Sequence, residues 1–272
     1  MNEKMPANPA AYVSPRARSL MEPHRLVLLA AFVALVLLAG WRLRWDWIAE
    51  YWPQLLAGIG RTLVLLFSSA AVGFVFAVLL GLVQVTGPRP LAWLARGFCT
   101  TIRGTPLLLQ VWLIYYGLGS VFASYPEIRQ SMFWPVLRQA WPYGFAALMI
   151  SFAAYEGEVM RGAFAGVPRG ELEAAKAYGM GRRTMFFRIW LPRAIQRVLP
   201  TLNGETVLQL KSTPLVATIT VVDVYGVISK VRQDTYLTYE PLLLLAAVYL
   251  ILTGILVWGF KRLEARVPVK GL

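Results

Sequence analysis

Five ionisable side chains, Arg61, Glu156, Glu158, Glu205 and Lys211, fall in or beside stretches that are otherwise apolar. Such groups cost several kcal/mol in a membrane unless they are paired or face a wet cavity. Each therefore marks a place where a polar solute, a neighbouring helix or a counter-charge is expected. Tyr155 and Glu158 are three apart and share a helix face, whereas Glu156 and Glu158 lie about 200° apart around a helix axis and do not face one cavity squarely. Two roles stay open for Glu158: to line a solute path beside Tyr155 and meet an ammonium or other cationic group, or to pair with Arg161 at i,i+3. Glu156 either adds to the attraction for cations or bonds to a neighbouring helix. Glu205 and Lys211, about 240° apart on a regular helix, do not reach each other and are structural or gate candidates. Ser212, Thr213 and the carbonyls freed by Pro214 are further candidates for a gate or a binding group, with a purely structural kink at Pro200 and Pro214 as the equal alternative.

A second pattern lies in a basic loop at 163–197. Glu173, Ala174 and Ala175 are followed after three residues by Gly179, after nine more by Ile189, and after one more by Leu191 and Pro192. Pro168 suits a first helical turn, Glu171 to Tyr178 holds good helix formers, and Gly179 fits the residue just past a helix end. This predicts a short surface helix. A basic, aromatic segment with Arg182, Arg183, Phe186, Phe187 and Arg188 should then lie at the headgroups before Pro192 restarts the chain as the next membrane helix.

Several chemistries are excluded. One cysteine, Cys99, rules out an intrachain disulfide, and with a single histidine, His24, there is no plausible zinc or iron cluster. No phosphate-cradling GxxxxGK[ST] loop, GxSxG elbow or HExxH pair occurs, so no catalytic residue, metal site or bound cofactor is expected in this chain. The net charge of +13 is dispersed between apolar runs rather than gathered in one stripe, which argues against nucleic acid.

The elements that carry these residues are membrane helices. Of the 272 residues 57% are hydrophobic and 15% charged, against about 25% charged in a soluble domain. Thr62 to Pro88, Gly104 to Pro126 and Pro241 to Phe260 contain no formal charge, and about 20 apolar residues cross a hydrocarbon core. The fold expected is all-α and polytopic, with about six spans near 26–41, 58–86, 104–123, 141–161, 195–222 and 241–260. The first has only 16 apolar residues and also fits a secretory signal; Arg42, Trp45 and Trp47 after it suit an interfacial anchor and favour a retained helix. Basic residues alternate loop by loop. Arg89, Arg96 and Arg103 stand without an acid in the 86–103 loop, and the stretch Arg161 to Arg197 holds eight basic residues against Glu171 and Glu173. The positive-inside rule then puts that loop and both termini in the cytoplasm. Trp45, Trp47, Trp52, Trp134, Trp141 and Trp258 are explained as interfacial belts with no ligand stacking, and Cys99 as structural.

The spacing from Glu173 to Pro192 resembles the EAA---G---------I-LP signature of ABC importer permeases. Arg103-Gly104-Thr105-Pro106-Leu107 with Gln110, Ala154-Tyr155 with Glu158, Arg161-Gly162, and Glu205 with Leu210-Lys211-Ser212-Thr213 resemble the polar amino-acid uptake permeases, of the histidine, arginine-ornithine and opine type. The resemblance covers roughly 50–265. It implies a type I importer permease domain at 50–265, with 1–25 a cytoplasmic segment and 26–41 an added N-terminal helix. It further implies that Glu173, Ala174, Ala175, Gly179, Ile189, Leu191 and Pro192 couple to a dimer of separate ATPase subunits that bind ATP and Mg. A second permease subunit, related or identical, and an extracytoplasmic solute-binding protein complete the assembly in a bacterial inner membrane. Tyr155, Glu156, Glu158, Gln110, Ser212 and Thr213 are the solute-path candidates, for cationic amino acids or opine-like derivatives. Glutamine, glutamate or another polar solute is the alternative cargo, and a proton-coupled secondary transporter the alternative class.

Overall fold

The computed structural model describes residues 40–266 and the isolated positions 24, 27, 28, 30, 31 and 34. The expected segment 1–25 and most of the expected helix 26–41 lie outside the described residues. The chain divides into two units, Met1–Trp47 and Ile48–Leu272. In the first, the Arg42 guanidinium lies 5.8 Å from the Trp41 ring centroid and the Trp47 indole donates to the Arg44 carbonyl at 3.1 Å.

In the second unit every described element is helical. The first helix, α1 (Trp47–Thr86), has 40 residues, about 60 Å of helix against a hydrocarbon core of roughly 30 Å, and so begins well before the expected span at 58. Gly73, Ala77 and Gly81 recur at four-residue spacing along one face. A Cβ on Gly73 would lie 2.9 Å from the Met149 carbonyl oxygen, and one on Gly81 2.8 Å from the Arg161 nitrogen. These small residues let α1 lie backbone to backbone against α7 (Trp141–Gly166), the packing membrane helices use where burial of apolar surface gives no drive.

The second membrane passage starts earlier than the charge pattern predicts. Arg89, Arg96 and Arg103 are not in a loop: they belong to α2 (Arg89–Arg103). Ala92, Ala95 and Cys99 are buried along it, and Cys99 Sγ reaches to within 3.3 Å of where a Gly157 Cβ would stand. The three arginines interrupt the apolar run, so a boundary drawn by charge alone cuts this helix off. After Gly104-Thr105-Pro106 the chain continues as α3 (Leu107–Trp112), a π-helical turn (Leu113–Leu118) and α4 (Gly119–Ser124). Residues 89–124 therefore run antiparallel to α7, from Cys99 beside Gly157 to Tyr143 beside Gly119.

Two short helices, α5 (Pro126–Arg129) and α6 (Trp134–Leu137), lead into α7. Beyond it come α8 (Arg169–Ala177) and α9 (Arg182–Met185). A π-helical turn (Phe186–Trp190), α10 (Leu191–Ser212) and a 3-10 turn (Thr213–Ile219) follow α9 without interruption. The basic segment and the next span are thus one helix, not a surface piece and a fresh start at Pro192, and Pro200 lies inside α10 without breaking it. Thr220, at φ 69°, turns the chain into α11 (Val224–Thr235), whose buried N-cap Asp223 accepts the Gly226 N–H at 2.8 Å. The last helix is α12 (Tyr239–Arg266).

Among the described residues three helices are long and apolar enough to span a membrane, and four if the bent pair 182–219 and 224–235 is one span. Helix α7, at 26 residues, has the length. Its apolar run is bracketed by Trp141-Pro142-Tyr143 and by Glu156 and Glu158, which is why composition alone does not select it.

Two apolar core clusters lie along α7, and a third, Leu66, Leu210, Leu252 and Leu256, joins α1, α10 and α12. Leu65, Val111, Tyr143, Ala147, Leu148, Val216 and Ile219 pack at the first half of α7, and Ala77, Met160, Ala163, Phe164, Ala194 and Val198 at its second. Between them lies a polar layer.

Candidate functional site

That layer is built where α2 breaks. Pro106 lacks the N–H that would bond the Ile102 carbonyl, and Gln110 supplies a substitute. Its Nε2 donates to the Ile102 carbonyl at 2.8 Å, the Thr105 carbonyl at 3.0 Å and Thr105 Oγ1 at 3.0 Å. Irregular backbone at membrane depth is tolerated where it is buried in protein or lines a cavity, and here both hold. Beside the break lies a cavity of about 220 Å³ whose polar wall is Thr105, Ser151, Tyr155, Glu205, Gln209 and Ser212, with Leu107, Phe152 and Leu208 between them. Arg103 stacks its guanidinium 5.4 Å from the Tyr155 ring centroid, and the Tyr155 hydroxyl lies 3.5 Å from the Arg103 carbonyl. Gln209 Nε2 donates to Ser69 Oγ at 3.1 Å and to the Leu148 carbonyl at 3.0 Å, pinning α10 to α1 and α7. The cavity thus offers one carboxylate, three serine or threonine hydroxyls, one amide and a phenol, a set that suits a small zwitterion with a cationic group.

Three of the candidates from sequence meet in this wall: Tyr155, Glu205 and Ser212. The others lie elsewhere. Gln110 is buried in the break. Thr213 is buried too, and its Oγ1 donates to the Leu210 carbonyl at 2.9 Å, the acceptor that Pro214 leaves without its helical donor, with the Tyr249 hydroxyl 3.1 Å away on α12. Glu158 makes the ion pair with Arg161, Nε to Oε2 at 2.9 Å. Glu156 is fully buried, and neither carboxylate oxygen has a hydrogen-bond partner. Lys211 is exposed, and among the described residues no ion pair joins it to Glu205. Ser151 and Gln209 carried no sequence signal, being single polar residues of ordinary type in apolar helices. Asp223 had one in principle, an acidic residue just ahead of a helix.

Past the other end of α7, the first part of the signature closes one compact turn and the rest lies on the helix that follows. Gly179 has φ +73°, its N–H bonds the Lys176 carbonyl at 2.9 Å, and the Met180 N–H bonds the Ala175 carbonyl at 3.0 Å. This is a Schellman ending for α8, which requires the left-handed conformation at Gly179. Ala175 is buried against its own chain, while Glu173 and Ala174 are exposed. A groove of about 470 Å³ beside α8 is walled by Ala174, Ala175, Tyr178, Ile189 and Pro192. Glu171 Oε2 and Arg193 Nε meet at 2.9 Å. The Trp190 indole donates to the Phe164 carbonyl at 3.0 Å, and Phe164, Phe186 and Trp190 pack edge to face or tilted at 5.2–6.2 Å between centroids. Leu191 packs into the same cluster. Pro192 sits where the π-helical turn, closed by the Leu191 N–H to the Phe186 carbonyl, gives way to regular helix, a junction that accommodates a residue without an N–H.

Comparison with known proteins places this geometry. Residues 73–268 match the family described as binding-protein-dependent transport system inner membrane component. The chain is 43% identical over 213 residues to the octopine transport system permease protein OccM of Rhizobium radiobacter, covering 77% of this chain and 84% of that one. It is 32% identical to the histidine/lysine/arginine/ornithine transport system permease protein HisM of Salmonella typhimurium, covering 80% and 95%. A crystal structure of an amino acid ABC transporter with histidines superposes with a TM-score of 0.67 at 28% identity, over 82% of this chain and 100% of that one. With the family model matching residues 73–268 and relatives above 30% identity covering more than three quarters of its length, the chain is a member of the binding-protein-dependent transport system inner membrane component family, the permeases of ABC importers.

Proposed function

We propose that this chain is the permease subunit of an ATP-driven importer for polar amino acids, with cationic amino acids or opine-like derivatives as its cargo. The observation that carries the reading is the unbroken helix from residue 182 to residue 219, which joins the groove beside α8 to the cavity wall. Ile189 and Pro192 face the groove; Glu205, Gln209 and Ser212 face the cavity. From Ile189 to Glu205 is about 24 Å of helix, so a force applied at α8 moves the cavity wall as a rigid body. Exposed Glu173 and Ala174 meet the ATPase subunit, Glu173 through a charge-assisted hydrogen bond. Gly179 ends the helix sharply enough to fit a groove.

In this scheme a pair of ATPase subunits binds ATP and Mg and draws two such helices together. A second permease subunit completes the pathway, an extracytoplasmic binding protein delivers solute, and the whole sits in a bacterial inner membrane. The substrate class is supported by the relatives, named for octopine and for histidine, lysine, arginine and ornithine, and by Glu205 in the cavity wall. Reconstituting the chain with its ATPase, second permease and loaded binding protein in liposomes tests the reading: uptake of arginine or octopine is expected only with ATP inside reach of the ATPase. Uptake that persists without the ATPase and collapses with the proton gradient overturns it.

A further inference from the structure

We propose that the outer end of this permease carries a receiving site for the solute, an aromatic pocket with one arginine that holds a flat cationic group and a carboxylate of the same molecule. The inference rests on the amino-acid importer reading and adds a second, separate station to the path. The pocket has a volume of about 350 Å³, and its lining includes Tyr115, Tyr116, Ser120, Trp134, Arg138 and Tyr143. That volume lies within the range of small-molecule sites. It opens at the start of α7, about 39 Å of helix away from the end that leads into α8, and so on the side where a delivered solute arrives.

The pocket is held rigidly on one wall and left open on the other. The Tyr143 hydroxyl is committed to the Leu137 carbonyl at 2.6 Å, which fastens the loop carrying Trp134 and Arg138 down onto α7. Tyr115 stands edge-on to Tyr143 at 5.6 Å between centroids, and Tyr116 edge-on to Tyr115 at 5.0 Å. Neighbours in sequence point well apart on a regular helix. Here Tyr115 and Tyr116 lie in the π-helical turn Leu113–Leu118, whose wider turn brings both into one wall, and such turns recur at functional sites. Tyr116 is 59% exposed.

Arg138 is the one charged residue of the lining. It is exposed, and among the described residues it has no ion-pair partner. A planar guanidinium with no acid beside it is a fork for a carboxylate, and tyrosine and tryptophan faces attract flat cations. The two features side by side match a guanidino amino acid better than either end of it alone. Trp134, which the sequence explains as an interfacial residue, is by this geometry part of a site.

The test uses the full transporter in liposomes with loaded binding protein, and compares arginine with ornithine. Both carry the same α-carboxylate, but only arginine has a flat side-chain cation. Arg138→Gln is expected to raise the KM for both solutes about tenfold, with Arg138→Lys intermediate because a point charge replaces the fork. Tyr116→Leu is expected to raise the KM for arginine several-fold more than that for ornithine, and Tyr116→Phe to retain the preference. Equal losses for the two solutes in Tyr116→Leu mean that this face docks the binding protein rather than solute, and overturn the proposal. Unchanged KM values in Arg138→Gln and Tyr116→Leu overturn it as well, while leaving the importer reading intact. Failure of the unaltered transporter to move either arginine or octopine overturns the importer reading and the receiving site with it.

Discussion

The docking turn packs beside the start of the helix 182–219 and the membrane cavity lies further along it, yet the two are built in opposite ways. The docking turn is local. Ala175, Lys176, Gly179 and Met180 close on one another through backbone bonds within six residues, so its geometry is a property of a short stretch of sequence. The cavity is assembled from Thr105, Ser151, Tyr155, Glu205, Gln209 and Ser212, residues drawn from the break after α2, from α7 and from α10. Its shape depends on how closely the helices approach, and so on Gly73 and Gly81 of α1 as much as on the wall itself. The turn is set by its own backbone, whereas the cavity is set by packing between spans.

The largest effect that separates the two regions is expected at Gly179. A side chain at φ +73° costs roughly 1–2 kcal/mol in the left-handed region, and a β-branched one more. A Cβ there meets nothing within 4 Å, so the cost of Gly179→Val falls on the backbone of the turn itself. The substitution is expected to abolish uptake and solute-stimulated ATP hydrolysis while membrane insertion and the amount of purified chain stay as before. Normal uptake by this variant would show that the Schellman ending is not what the partner reads, and would remove the basis for treating the docking turn as a local device.

The same contrast governs what the sequence discloses. The helix 169–177 and its end at Gly179 are short-range consequences of residue type, and both are legible in the chain. Two things were not. One is the length of the second membrane passage, because Arg89, Arg96 and Arg103 look like loop charges until Ala92, Ala95 and Cys99 are seen packed on one side of a helix. The other is the membership of the cavity wall. Gln110 and Thr213 have the polarity of solute-path residues, but each sits close behind or just ahead of a proline and donates to the carbonyl four residues before that proline. Ser151 and Gln209 look unremarkable in sequence and become polar wall only through the partners that α1, α7 and α10 bring to them. Which of Glu156, Glu158 and Glu205 faces the cavity is likewise a matter of helix rotation, and spacing along a single chain does not fix it.

Glu205 gives the next effect. It is the one acidic residue of the cavity wall, and a charge-assisted hydrogen bond to a cationic solute in a low-dielectric site is worth more than a neutral one. Glu205→Gln is expected to keep the shape, raise the KM for arginine by about tenfold or more, equivalent to roughly 1.4 kcal/mol, and leave the affinity of the isolated binding protein unchanged because that protein is a separate chain. A variant that moved kcat alone, with KM constant, would assign Glu205 to the gate rather than to solute.

The smallest effect is expected at Glu158, and it sharpens the comparison from the other side. Sequence leaves two roles open for this residue, and the observed one is the i,i+3 pair with Arg161 at 2.9 Å, with the side chains 19% and 42% exposed respectively. Pairs of this kind contribute about 0.2–0.5 kcal/mol on a helix surface, and partial exposure keeps the value low. Glu158→Gln removes the ion pair but leaves an amide able to bond Arg161, so uptake should change less than about threefold at any solute concentration. The preference between arginine and glutamine as cargo should not move. A shift in that preference would mean that Glu158 leaves Arg161 when solute is present and joins Glu205 in the path. The cavity wall would then include a residue whose place is set by the state of the transporter rather than by the packing of its helices, which is the one way in which the division between a locally built docking turn and a packing-built path breaks down.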